Sequence, residues 1–165
     1  RQRSTPAFVA DCQRAWLRVL DRAGDPDAAG ASGASAVVDA LDRDLQTLHG
    51  GDVPPADLAA TRRVSKPRGE YSHETRAVAA RHRSDAHGID RHPGQSVEYV
   101  VVDDDADGRQ RVRLPFEDGA TDYDPAHYAD RLLRAAETVV SPFGWDRSRI
   151  ERELRSTRDA ALSSF

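Results

Sequence analysis

Basic side chains are concentrated in one segment of an otherwise acidic chain. Residues 61–92 contain eight arginines and lysines against four carboxylates, a net charge of +4, whereas the whole 165-residue chain carries −4. Guanidinium groups bind phosphate oxygens through paired N–H donors, and clustered cations can form a phosphate-contacting surface. The segment therefore indicates a nucleic-acid interface, or alternatively a charged loop whose arginines pair with the chain's own aspartates.

An acidic stretch, DDDADG, matches the start of a calcium-binding loop. Asp103, Asp105, Asp107 and Gly108 occupy positions 1, 3, 5 and 6 of an EF-hand. Such a loop requires a bidentate Glu at position 12, where this chain has Leu114, and helices on both sides. The flanking residues alternate as strands do, which favours a solvated hairpin tip over a calcium site.

Histidine and cysteine patterns give little support for catalysis or metal binding. His82, His87 and His92 recur every five residues, a spacing that does not align them on one helix face. The single cysteine, Cys12, lies on the apolar face of a predicted helix, so we interpret it as a core residue and exclude an internal disulfide. Metalloprotease, serine-hydrolase and phosphate-binding-loop motifs are absent from the sequence.

Apolar periodicity and capping residues predict a mainly helical α+β fold with four to five helices and one small antiparallel hairpin. Ser4 or Thr5 would cap the first helix, Ser72 with Thr75 or Glu74 nearby would cap the third, and Asp124 followed by Pro125 would begin the fourth. The prolines of VPPADLAATRRVSKP predict an irregular or extended segment. The hairpin turns at DADG between Val101 and Val112. The helices are predicted near 6–23, 35–49, 72–87, 125–141 and 146–165, and residues 24–35 are predicted to be a flexible linker.

The order of these pieces resembles the thumb, the C-terminal region, of archaeal-type family B DNA polymerases. The similarity is carried by RQRSTPAFVADCQRAWLRVL, VPPADLAATRRVSKPRGEY, HETRAVAARHR, HPGQSVEYVVVDDD and YDPAHYADRLLRAAETVVSPFGW. The last two blocks are the most specific. His127 and Leu132 depart from the family, which often has Tyr and Gln there. An arginine-rich, aspartate-rich composition with Lys66 as the one lysine fits a salt-adapted cytoplasm, or alternatively a GC-rich genome alone. Together with the resemblance it predicts a haloarchaeal source.

The resemblance implies a DNA-gripping role without catalysis in this chain. The palm's catalytic aspartates, which would hold Mg²⁺ in the parent polymerase, are absent, so no catalytic residue or cofactor is expected here. Residues 1–23 would form a helix leaving the palm, and 36–165 the thumb. The expected partners are primer–template duplex DNA and the other polymerase domains, with sliding-clamp contact left open. The implied DNA contacts are Arg62, Arg63, Lys66, Arg68, Tyr71, and, less strongly, Arg81 and Arg83.

Alternative functions remain compatible with the sequence. One is a stand-alone nucleic-acid-binding module, and another is a protein-interaction module whose arginines pair internally. An independent enzyme is the least favoured class. The chain has no apolar run near the ~20 residues that cross a bilayer and no apolar leader segment at its start, so we expect a cytoplasmic protein without membrane contact.

Overall fold

The computed structural model describes residues 5–23, 26–67 and 69–164. These residues form two compact units. The first, which we call the sheet unit, includes residues 51–127, and the second, the helical unit, includes 9–50 and 128–164. Across the described residues the element order is α1 (Ala7–Arg22), α2 (Pro26–His49), α3 (Pro55–Leu58), β1 (Ala60–Arg63), α4 (Arg76–Ala86), β2 (Ser96–Val101), β3 (Val112–Arg113), α5 (Pro125–Val140) and α6 (Arg147–Leu162).

The sheet unit is built on three antiparallel strands in the order β1-β2-β3. Ala60 lies opposite Tyr99, and Val101 lies opposite Val112. Helix α4 packs on β2 and β3. Along β2, Val97 and Tyr99 are buried while Glu98 between them is exposed, and the strand ends with Val100 and Val101, which are both buried. The sheet therefore fixes β1 as an edge strand, held in place through β2.

The helical unit has an apolar core supplied by one face of each helix. Trp16 of α1 is fully buried, and its Nε1–H donates a hydrogen bond to Asp44 Oδ2 of α2 over 2.8 Å. Helix α6 packs on α2 through Ile150 and Leu154. An indole buried together with its hydrogen-bond acceptor avoids the cost of an unpaired buried donor. The α+β class and its predominance of helices are confirmed.

Two local predictions are wrong in detail. Helix α2 begins at Pro26 rather than at Ser35, so most of the predicted linker is helical. Proline suits the first helical position, and the alanines that follow favour helix enough to tolerate two glycines. The segment VPPADLAATRRVSKP, predicted as irregular or extended, contains the short helix α3 at Pro55–Leu58. Residues 60–63 of this segment are extended as predicted and form a third strand, because β2 offers them partners in register.

Capping and turn predictions are confirmed for α5 and close for α4. Asp124 Oδ1 accepts the His127 N–H over 3.1 Å at the start of α5. Helix α4 begins one turn later than predicted, with Thr75 rather than Ser72 as the cap. The predicted hairpin is antiparallel, but a 3-10 turn at Gly108–Arg111 precedes a return strand of two residues. The predicted cap of α1 by Ser4 lies outside the described residues.

Candidate nucleic-acid interface

Two of the candidate residues lie on the edge strand of the sheet unit. Arg62 is opposite Val97 and Arg63 is opposite Ser96 in the β1–β2 register. Neighbouring residues on a strand point to opposite faces, so the two side chains leave the sheet on different sides. Both are exposed, and β1 has no strand on its outer side among the described residues. The two cations therefore extend from one edge of the sheet rather than from one face.

The loop after β1 presents Lys66 from a backbone that is fixed on both sides. The Lys66 N–H donates to the Tyr71 hydroxyl over 3.1 Å. Arg81 Nη1 donates to the Lys66 carbonyl over 2.8 Å. The Lys66 side chain remains exposed. Lys66, Tyr71 and Arg81 are thus brought together, but Tyr71 and Arg81 hydrogen-bond to the backbone of Lys66.

The hydroxyl of Tyr71 is a hydrogen-bond acceptor in this loop. Partial burial alone would raise its pKa, but hydrogen bonds from the backbone of Lys66 and from Ser65, together with the charge of Arg81, outweigh that effect and lower the pKa. Donors aimed at an oxygen stabilise its anionic form. The phenol oxygen therefore holds the loop, while the half-exposed ring lines a shallow cleft of about 210 Å³ beside His73 and His82.

Arg81 and Arg83 are engaged within the sheet unit, and their assignment as DNA contacts stays a prediction. Arg81 is only 4% exposed because helix α4 turns it toward the Lys66 loop. Arg83 forms a two-pronged ion pair with Glu117, with Nε to Oε2 at 2.7 Å and Nη2 to Oε1 at 2.9 Å. A guanidinium already held in this way gains little by binding a phosphate.

Glu117 is the acceptor at the centre of a second polar cluster. His87 Nε2 lies 3.0 Å from its Oε1, and the Leu114 N–H donates to Oε2 over 2.6 Å. Partial burial alone would raise the Glu117 pKa, but the hydrogen bonds of Arg83, His87 and Leu114, and the charge of Arg83, lower it to about 2. This cluster joins α4 to the segment after β3, so we assign it a structural role.

A third polar cluster contains Arg76, another cation of the basic segment, paired with Asp104. Arg76 Nε donates to Asp104 Oδ1 over 3.0 Å, and His127 Nδ1 lies 3.1 Å from Asp104 Oδ2. Asp103 Oδ1 accepts the backbone N–H groups of Asp105 and Ala106. The acidic tip thus uses its carboxylates for turns and ion pairs. Within the described ranges, no group of three or more His, Cys, Asp or Glu side chains has a metal-binding arrangement.

The set of exposed candidate residues is therefore smaller than the net charge of residues 61–92 suggested. Arg68 lies outside the described residues. In the part of the chain that the structure describes, three candidates are both exposed and without a carboxylate partner. They are Arg62, Arg63 and Lys66. Sequence reasoning missed the carboxylates that occupy Arg76 and Arg83, because Asp104 and Glu117 lie 28 and 34 residues away and no local spacing points to them.

Comparisons with known proteins identify the fold. No protein-family model and no curated protein matches the chain. A solved structure that does match is that of the family B DNA polymerase from the hyperthermophilic archaeon Pyrobaculum calidifontis, with a TM-score of 0.67 and 18% sequence identity. The match covers 81% of this chain and 17% of the polymerase chain. At this identity the likeness is one of fold, and the chain spans only about a sixth of the polymerase's length. Among the described helices, none combines the length and apolar composition required to span a bilayer.

Proposed function

We propose that the chain is a C-terminal, thumb-like part of a family B DNA polymerase that grips primer–template duplex DNA. The proposal is supported by a fold that resembles part of such a polymerase. It also rests on the sequence blocks that resemble the thumb of that family. The observation that carries it is the group of three exposed cations at Arg62, Arg63 and Lys66, which have no ion-pair partner among the described residues, on a chain whose net charge is negative.

The local geometry suits a grip that is independent of base sequence. Arginines on an edge strand can reach phosphates on either side of the sheet edge, and Lys66 supplies a point charge from a fixed loop. Phosphate contacts position a protein on a duplex and do not read bases. Such contacts would let a polymerase hold the growing duplex while its sequence changes with every nucleotide added.

The proposal places the chemistry outside this chain. The metal-binding aspartates of the palm, with Mg²⁺, would belong to another part of the parent polymerase, which would be a DNA-directed nucleotidyltransferase. The partners would be duplex DNA and the other polymerase domains, and contact with a sliding clamp is a further candidate. Archaeal and halophilic origin stay predictions from composition and sequence resemblance.

Salt-dependent DNA binding by the intact chain tests the proposal. Each phosphate contact that is lost should reduce the slope of log K against log salt by about 0.9 for duplex DNA. We expect R62Q/R63Q/K66Q to reduce the slope by roughly 2.7, measured by fluorescence anisotropy on a labelled primer–template duplex. The loss should be equal on two duplexes of unrelated sequence.

A charge-conserving variant is the matched control for this experiment. We expect R62K/R63K/K66R to retain the wild-type slope, because the charge at each position persists. Absence of binding to the duplex even at low salt would refute the proposal and favour the protein-interaction alternative. Binding that is unaffected by R62Q/R63Q/K66Q would show that DNA is held elsewhere on the chain.

A further inference from the structure

Helix α6 places its two glutamates and three of its arginines on different faces. Ile150 and Leu154 are buried and define the inner side. Glu151 Oε1 accepts from Arg147 Nε over 3.0 Å, and Glu153 Oε1 accepts from the Ser35 hydroxyl over 2.9 Å. Both glutamates therefore lie on the flanks of the helix, where Glu151 pairs with Arg147 and Glu153 binds Ser35 of the same unit.

The outer face of α6 carries arginines without such partners. At 100° per residue, Arg152 lies opposite the buried side of the helix. Arg149 precedes it by three residues and Arg155 follows it by three, so both lie beside it on the outer face. All three are exposed. In the part of the chain that the structure describes, neither Arg152 nor Arg155 has a hydrogen-bond or ion-pair partner for its side chain.

Arg149 differs from its two neighbours in its contact, although it points outward as well. Its guanidinium carbon lies 4.1 Å from the ring centroid of Trp145, and its backbone N–H is capped by Asp146. Stacking holds the plane of a guanidinium and leaves its N–H edge available to an acceptor. Asp159, one turn beyond Arg155, is an exposed carboxylate on the same face and forms no ion pair with these arginines among the described residues.

We propose that this outer face of α6, formed by Arg149, Arg152 and Arg155, is a second nucleic-acid contact that binds backbone phosphates. The proposal extends the function proposed above from the sheet unit to a different surface. The three arginines cover about 9 Å of helix axis, the length of two to three phosphates along one strand of a duplex. Ser148 and Ser156, both exposed on the same face, add hydroxyl donors between them.

The composition of the face favours phosphates over an acidic protein partner. A protein interface needs apolar or aromatic anchors that become fully desolvated at its centre. The outer face between Ser148 and Asp159 offers arginine and serine side chains and one aspartate, and no exposed apolar residue. Protein–DNA interfaces, in contrast, are more polar and much more positively charged.

The test is a double substitution that leaves the fold untouched. Arg152 and Arg155 are exposed and have no ion-pair partner within the described ranges, and Gln has a similar helix propensity. R152Q/R155Q should therefore fold as the wild type does by circular dichroism. On a fluorescein-labelled primer–template duplex, we expect the slope of log K against log salt to fall by about 1.8. The ratio of the wild-type affinity to the affinity of the variant should therefore fall roughly twelvefold when salt is raised from about 50 to about 200 mM.

Two control variants separate charge from position. R152K/R155K should retain the wild-type slope. R134Q should also retain it, because Arg134 is exposed on α5 but already paired with Asp130 over 2.8 Å. An unchanged slope for R152Q/R155Q, with a reduced slope for R62Q/R63Q/K66Q, would overturn this inference alone. No duplex binding by the wild-type chain would overturn both proposals.

Discussion

The buried guanidinium of Arg81 donates a hydrogen bond to the backbone carbonyl of Lys66, with 2.8 Å between Nη1 and the oxygen. The loop that presents Lys66 is thus held by a side chain from helix α4, and the Tyr71 hydroxyl accepts the Lys66 N–H on the other side. Arg81, which sequence alone suggested as a phosphate contact, thus holds the loop that presents Lys66. It orders a neighbouring cation before any ligand arrives, which lowers the entropy cost of binding.

We predict that Arg81→Gln weakens duplex binding only through Lys66. The substitution leaves the Lys66 carbonyl without its charged donor and should lower the free energy of unfolding by about 1–3 kcal/mol, measured by urea denaturation. In DNA-binding titrations, R81Q/K66Q should bind no more weakly than K66Q, because both changes remove the same contact. Additive losses in the double variant would mean that Arg81 contacts DNA directly.

The sequence predicted elements with strong local signals and failed where partners are distant. Amphipathic spacing and the Asp124 and Pro125 pair were sufficient to locate α5. The charge of the basic segment was sufficient to indicate a surface. Internal pairing of the arginines was anticipated as an alternative, but the partner of each arginine was not predictable. It depends on how α4 packs against residues that follow the sheet, as the Arg83–Glu117 pair shows.

Strand β1 and the outer face of α6 illustrate two further limits. The edge strand ATRR has no alternating apolar pattern and forms because β2 offers hydrogen-bond partners in register. On α6, the high density of acidic and basic residues hid the placement of Arg149, Arg152 and Arg155 on a face away from the two glutamates. That separation becomes visible only when Ile150 and Leu154 define which side of the helix is buried.

Glu117 should give the protein a specific acid sensitivity. Its pKa in the folded state is about 2, below its ordinary value of 4.5, because the hydrogen bonds from Arg83, His87 and Leu114 outweigh the effect of burial. A depressed folded pKa adds stability above pH 4.5, and this contribution is lost as the pH falls from about 4.5 toward 2. We expect the stability difference between wild type and Glu117→Gln to be largest above pH 5 and to shrink by pH 3.

The control for this prediction is a neighbouring carboxylate. Asp118 is exposed and its side chain has no ion pair with a described residue, so D118N should follow the pH dependence of the wild type. The measurement is urea denaturation followed by tryptophan fluorescence at a series of pH values. A constant difference between wild type and E117Q from pH 6 to pH 3 would show that the ion pair with Arg83 carries no pH-dependent stability.

Cys12 should be chemically inert until the helical unit opens. Burial first, and then the charge and hydrogen bond of Asp44, raise the pKa of its thiol to about 12. Alkylation requires the thiolate, so at pH 8 the native chain should react with iodoacetamide far more slowly than it does in urea. Because the chain has one cysteine, mass spectrometry of a single adduct reports the reaction directly.

Asp44→Asn separates the two causes of this protection. The variant removes the negative charge that raises the thiol pKa but keeps an oxygen that can accept the Trp16 Nε1–H. Burial persists in the variant, so we expect alkylation of native D44N to remain slow and to follow local or global unfolding. If native D44N instead reacted at the rate of the urea-unfolded chain, the charge of Asp44 rather than the packing around Cys12 would be the main source of its inertness.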